Sequence, residues 1–183
     1  MQKILPGAFA IVLFIFIAPA ESPQTPLPLI PQTALAQAPS PVPVSVIIPA
    51  IGVNSPIEDV GVLPNGELDV PSGSTGNVGW YAAGTIPGDI GSAVLDAHVF
   101  AAFSKLHNLK TGDDIYIGTS AGSTLHFVIE ESDTYQLAQV PLQQLFNRSD
   151  APRLNLITCA GSMTPDHSTY DHRLVVYAVL AKN

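Results

Sequence analysis

The chain of 183 residues carries a single cysteine, Cys159. One thiol cannot close a disulfide within the chain, so no bridge staples the fold and a packed core must hold it. Charge is scarce as well. Asp, Glu, Lys and Arg make up 12% of the residues, and the formal net charge is −8. With 7 Lys and Arg against 15 Asp and Glu, there is no basic surface to track a phosphate backbone or to settle on anionic lipid by charge. Nucleic acid is therefore excluded as a partner. No internal repeat recurs, and the glycines of Ser72 to Gly79 match no phosphate-cradling spacing.

What the chain does have begins at its N-terminus. Lys3 precedes an uncharged, strongly apolar run from Ile4 to Ala20. A basic start and a run of that length read as a secretory signal or a short anchor in the cytoplasmic membrane. Ala18-Pro19-Ala20 and Ala34-Leu35-Ala36 offer small-residue cleavage sites, but retention as a single-pass anchor over residues 1–20 is preferred. No cysteine flanks the run, which excludes a lipoprotein anchor. Residues 21–43 follow, with prolines at 23, 26, 28, 31, 39, 41 and 43. Such a segment resists both helix and sheet and forms an extended linker. The expected layout is anchor, stalk, and one domain over residues 44–183 on the extracytoplasmic face, or secreted if the signal is cleaved.

That domain reads as all-β. Strand patterns cover Val44–Ile48, Leu68–Val70, Ala93–Val99, Ile115–Ile117, Thr124–Ile129, Leu154–Thr158 and Arg173–Ala181, while Gly52–Val62 carries Val53, Ile57, Val60 and Val62 with turn residues between. Ala101–Leu109 is expected as a short helix, and Pro141–Phe146 as a helical turn opened by its proline. Many short strands with little helix point to a closed barrel or a sandwich.

The lone thiol then needs an explanation, because an exported chain exposes it to oxidation. It ends the run Leu154-Asn155-Leu156-Ile157-Thr158-Cys159, as a buried strand would deliver a thiol to its mouth. His98 ends another strand and Arg173 begins the last. Thiol acyl transfer needs a thiolate, a proton donor for the leaving amine and a cation or hydrogen-bond donor for the oxyanion. These three residue types supply those parts. Each has a plainer reading: a buried cysteine, a surface histidine, a surface arginine.

Taken together, the motifs resemble the sortase family. Leu156-Ile157-Thr158-Cys159 is similar to the sortase nucleophile signature. Gly91-Ser92-Ala93-Val94-Leu95-Asp96-Ala97-His98 resembles the strand that ends at the sortase histidine, and His172-Arg173-Leu174-Val175-Val176-Tyr177-Ala178 resembles the last strand with its arginine. The resemblance spans about Pro43 to Leu180 and lies nearest the single-domain class E and F types. It implies a closed eight-stranded β-barrel with one or two short helices. It also implies a cysteine transpeptidase with Cys159 as nucleophile, His98 as acid–base and Arg173 at the oxyanion, needing no cofactor and no metal. The implied partners are secreted proteins bearing a C-terminal sorting signal, and an amine such as that of lipid II or a pilin lysine. Thr158 is either a substrate-orienting residue or ordinary strand filling.

The chain departs from the pattern in having Ala97, where many sortases have glycine, with Asp96 before it. In an extended strand Asp96 and His98 share a face, so Asp96 is expected to hydrogen-bond or electrostatically support the His98 imidazolium. Asp166, His167, Asp171 and His172 lie in the polar loop Ser162–His172, with no common zinc spacing. That loop, joining Cys159 to Arg173, is expected to be solvated and to border the substrate groove. No acidic cluster precedes His98, so calcium dependence is not expected. Two other readings compete: a non-catalytic envelope-binding barrel with Cys159 merely buried, and another Cys/His enzyme acting on cell-wall peptides. The L,D-transpeptidase and papain orders of Cys and His are both absent.

Overall fold

The computed structural model describes residues 40–73 and 75–182. The expected anchor, and the linker through Pro39, lie outside the described residues. Eight strands form a closed barrel: β1 (Pro43–Ile48), β2 (Val53–Val60), β3 (Val78–Tyr81), β4 (Gly91–Asp96), β5 (Asp114–Thr119), β6 (Thr124–Gln136), β7 (Pro152–Met163) and β8 (Tyr170–Leu180). Around the wall they run β1-β2-β3-β4-β7-β8-β6-β5, and β5 pairs back onto β1. Closure leaves no edge strand to be capped. All neighbours are antiparallel except β2/β3 and β4/β7.

Two-residue alternation builds the core. Val46, Ile48, Leu95, Ile115, Ile117, Phe127, Leu154, Leu156 and Val176 turn inward into one buried cluster. Residues of opposite parity on β4, β7 and β8 form an outer apolar patch. Val94, Val175 and Tyr177 there pack with Leu145 of a single helical turn, α1 (Leu142–Phe146). Asn155, fully buried beneath it, donates from Nδ2 to the Leu145 carbonyl at 2.6 Å. A helix this short is stabilised mainly by such tertiary contacts.

The structure differs from the sequence reading in several strand bounds and in the following elements. The strand β3 was not expected; it follows a Gly/Ser stretch, and its four residues owe their strand form to pairing with β2 and β4. Conversely, Leu68–Val70 joins the barrel nowhere and makes only an isolated bridge from Leu68 to Val62. The segment 101–109 is not an α-helix. Its buried residues Phe103, Leu106 and Leu109 recur every three residues. Its backbone bonds span three residues too, as in Ser104 N to Ala101 O and Leu109 N to Leu106 O. That is 3₁₀ geometry, whose period matches the apolar spacing better than 3.6 does.

Candidate active site

Register alone brings the three proposed residues together. Cys159 on β7 stands opposite Arg173 on β8, and Ile157 stands opposite Asp96 on β4. Two residues further along each parallel strand come Cys159 and His98. Leu156 belongs to the inner cluster and Ile157 to the outer one, so Cys159 and Arg173 fall on the outer face of two adjoining strands, and His98 follows just past the end of the neighbouring β4. Neighbouring strands lie about 4.8 Å apart.

The β4–β7 pairing continues past the end of β4 through two bonds. Ala97 N donates to Ile157 O at 3.4 Å, and the buried Thr158 hydroxyl donates to Ala97 O at 2.6 Å. Thr158 therefore fixes the backbone immediately before His98, a role between the two expected for it. A β-branched residue suits that strand position, and the hydroxyl spares Ala97 an unpaired carbonyl.

The His98 ring is gripped from the connection between β2 and β3. Its Nε2 lies 2.9 Å from Pro71 O. A carbonyl only accepts, so Nε2 carries the proton and donates. Phe100 stacks on the ring with centroids 4.7 Å apart and planes 12° apart. A side chain at Gly73 would come within 3.8 Å of Nε2. Among the described residues no hydrogen bond joins His98 to Cys159.

Arg173 is half-buried at the start of β8. Nη1 donates to Tyr170 O at 3.0 Å and His172 O at 2.9 Å, and Nη2 donates to Thr169 Oγ1 at 2.9 Å. A guanidinium has five N–H groups, so its Nε–H and one Nη2–H remain. No carboxylate forms an ion pair with it among the described residues. The result is an oriented, unneutralised cation beside the thiol-bearing strand.

Cys159 is the free thiol of the chain and is partly exposed. It opens on a cavity of about 230 Å³ walled by Val99, Phe103, His107, Tyr170 and Leu174. Neither His98 nor Arg173 lines this recess, which is largely apolar. It therefore suits a side chain rather than a charged group.

Asp96 corrects an expectation. It shares the face of His98 but makes no hydrogen bond to it. Its carboxyl is buried, 3% exposed, with neither oxygen partnered among the described residues. The His98 Nε2 proton goes to Pro71 O. Burial first, then repulsion from Asp69, pushes this carboxyl up to about 8.

The connection from Cys159 to Arg173 is shorter than expected, because β7 runs on to Met163 and β8 starts at Tyr170. The turn between them is internally bonded: His167 N donates to Thr164 O, and Thr164 N to Thr169 O. Asp166 accepts from Ser168 N at 3.2 Å. Asp171 accepts from His172 Nδ1 and from Ser162 N, both at 2.7 Å, and these partners hold its carboxyl below the usual carboxylate range. Among the described residues, no group of acidic, His or Cys side chains is placed to hold a metal ion.

Pro71, Phe100, Thr169, Tyr170 and His107 were not picked out from sequence. Their contribution lies in carbonyls, ring faces and contacts between distant segments, which leave no spacing signature.

Comparison with known proteins bears on this geometry. The family model described as "Sortase domain" matches residues 46–181. Among solved structures, sortase C from Clostridium perfringens SM101 is similar at 20% identity and a TM-score of 0.58, covering 78% of this chain and 71% of that one. Sortase A from Corynebacterium diphtheriae is 23% identical with a TM-score of 0.58, covering 80% and 64%. A Clostridium perfringens sortase D5 transpeptidase is 20% identical with a TM-score of 0.59, covering 77% and 79%. These structural likenesses concern the fold. No curated protein matches the chain by sequence.

Proposed function

The chain belongs to the sortase family of cysteine transpeptidases, and from that premise we propose that Cys159, His98 and Arg173 carry its acyl transfer. The Cys159 thiolate attacks a backbone carbonyl carbon in a sorting signal near the C-terminus of a secreted protein. Arg173, through its two remaining N–H groups, receives the oxyanion that forms. As the C–N bond breaks, the His98 imidazolium gives its proton to the departing amine, leaving a thioester on Cys159. An incoming amine, such as that of lipid II or a pilin lysine, then attacks the thioester carbonyl. Its proton passes to His98, the C–S bond breaks, and the thiolate returns.

The observation that carries this reading is the register, which sets the free thiol directly opposite an unneutralised arginine and one strand from the histidine. The apolar recess at Cys159 suits a side chain of the bound signal. The N-terminal run supports a catalytic domain, residues 44–183, tethered by residues 1–20 and spaced by residues 21–43 on the outer side of the cytoplasmic membrane. Affinity to classes E and F is part of the same proposal and rests on the resemblance of the three motifs.

Mass spectrometry of a peptide-library reaction tests it. Wild type should yield products with one defined cleaved motif joined to an added amine, and Cys159→Ala should yield none. Equal products from both proteins would sink the proposal. Alkylation of Cys159 no faster than that of a core thiol would support the non-catalytic barrel instead.

A further inference from the structure

Both oxygens of the Asp96 carboxyl are buried without a hydrogen-bond partner among the described residues. Native folds pair nearly all such atoms, so an orphaned carboxyl needs a reason. Compensation by a cation is not the reason. The charges acting on it are those of Asp69, in the connection between β2 and β3, and Glu58, on β2, and both are acidic. With burial they keep Asp96 a neutral acid at pH 7.

The location of the carboxyl gives that neutral state a use. A Cβ at Gly79 would run at once into Asp96 Oδ1, the Val60 side chain and the Pro71 ring. Carboxyl and proline ring thus share the floor above Gly79. The carbonyl of the same Pro71 accepts the Nε2 proton of His98 at 2.9 Å. Pro71 thus borders the same space as Asp96 through its ring and holds the imidazole through its carbonyl.

We infer that Asp96 is a positioning residue: its buried, unpaired carboxyl borders the space beside Gly79 in which the Pro71 segment seats, and that segment in turn fixes the His98 ring. This rests on reading His98 as the acid–base group. With Nε2 committed to Pro71, the proton exchanged with the substrate amine passes through Nδ1. An ionised Asp96 draws water onto the Gly79 floor, displaces the Pro71 ring and leaves His98 unanchored.

The test is an NMR titration of the full-length protein with isotope-labelled Asp and His, from about pH 5 to about pH 10. The Asp96 carboxyl signal should titrate near pH 8, and the His98 Nε2 signal should shift in step with it. Asp96→Asn, isosteric with the neutral acid, should abolish that step and keep Nε2 in its anchored position. Acyl transfer by Asp96→Asn should stay within about twofold of wild type at neutral pH, and the variant-to-wild-type ratio should rise severalfold above pH 8. A carboxyl that titrates near its ordinary value of about 4, or a His98 signal indifferent to it, overturns the inference. If His98→Gln transfers normally, the acid–base reading fails, while the wild-type titration still decides the link from Asp96 to His98.

Discussion

Arg173 shows how one side chain is prepared by its neighbours. Three of its N–H groups are spent on Thr169 of the preceding turn and on the Tyr170 and His172 carbonyls at the start of β8, so the guanidinium plane is set before substrate arrives. A lysine has no planar fork to hold that way. Arg173→Lys should therefore cost nearly as much as Arg173→Ala, about 10²–10³ in kcat with a smaller change in KM; steady-state kinetics on a cleaved peptide would measure it. Full activity in the lysine variant would mean that charge alone suffices. Asp96 makes the opposite kind of residue-scale contribution, through stability. Its folded-state pKa, about 8, lies above the unfolded value of 3.8, so the folded state holds a proton that the unfolded chain releases. Its contribution is complete below pH 3.8 and is lost as the pH rises to about 8. Thermal melts across that window should show wild type falling more steeply with pH than Asp96→Asn.

Among the elements, β7 and β8 carry the most, and they also show what sequence could and could not reveal. The strand ending at Cys159 was legible because its alternating apolar residues face the barrel interior, and β8 for the same reason. Their extra length past Ala160 was not, since polar Ser162, Thr164 and Asp171 resemble a solvated loop until Asp171 is seen accepting from Ser162 N. The strand β3 was hidden because pairing on both sides, not propensity, makes it a strand. His98 was legible as following a strand, and Cys159 as lying on one, though that strand runs on to Met163 instead of ending at the thiol; Pro71 acts through a carbonyl that every residue possesses. Two substitutions test the hairpin and its junction with β4. Gly161 has φ of 80°, and a side chain there would strike Asp171 and His172. Gly161→Ala should cost about 1–3 kcal/mol in denaturant unfolding. Thr158→Val removes the bond to Ala97 O and should cost about 1–3 kcal/mol by leaving that buried carbonyl unpaired. A cost near zero for either would show that the junction relaxes freely.

For the whole molecule, stability without disulfides must come from the closed wall and its filling. Leu156, fully buried on β7, should cost about 2–5 kcal/mol when cut to alanine. The order of strands around that wall also has a mechanical consequence. From β1 to β7 there are four steps either way, through β2, β3 and β4 or through β5, β6 and β8. The strand that receives the chain from its N-terminal side is thus diametrically opposite the strand that carries the thiol. Tension applied ahead of Pro43 enters along β1, which is laced antiparallel to β2 and to β5. Its backbone bonds are loaded in shear, many at once, instead of opening singly like a zipper. A pull on the chain ahead of Pro43 is absorbed on one side of the cylinder, while Cys159 and Arg173 keep their register on the other.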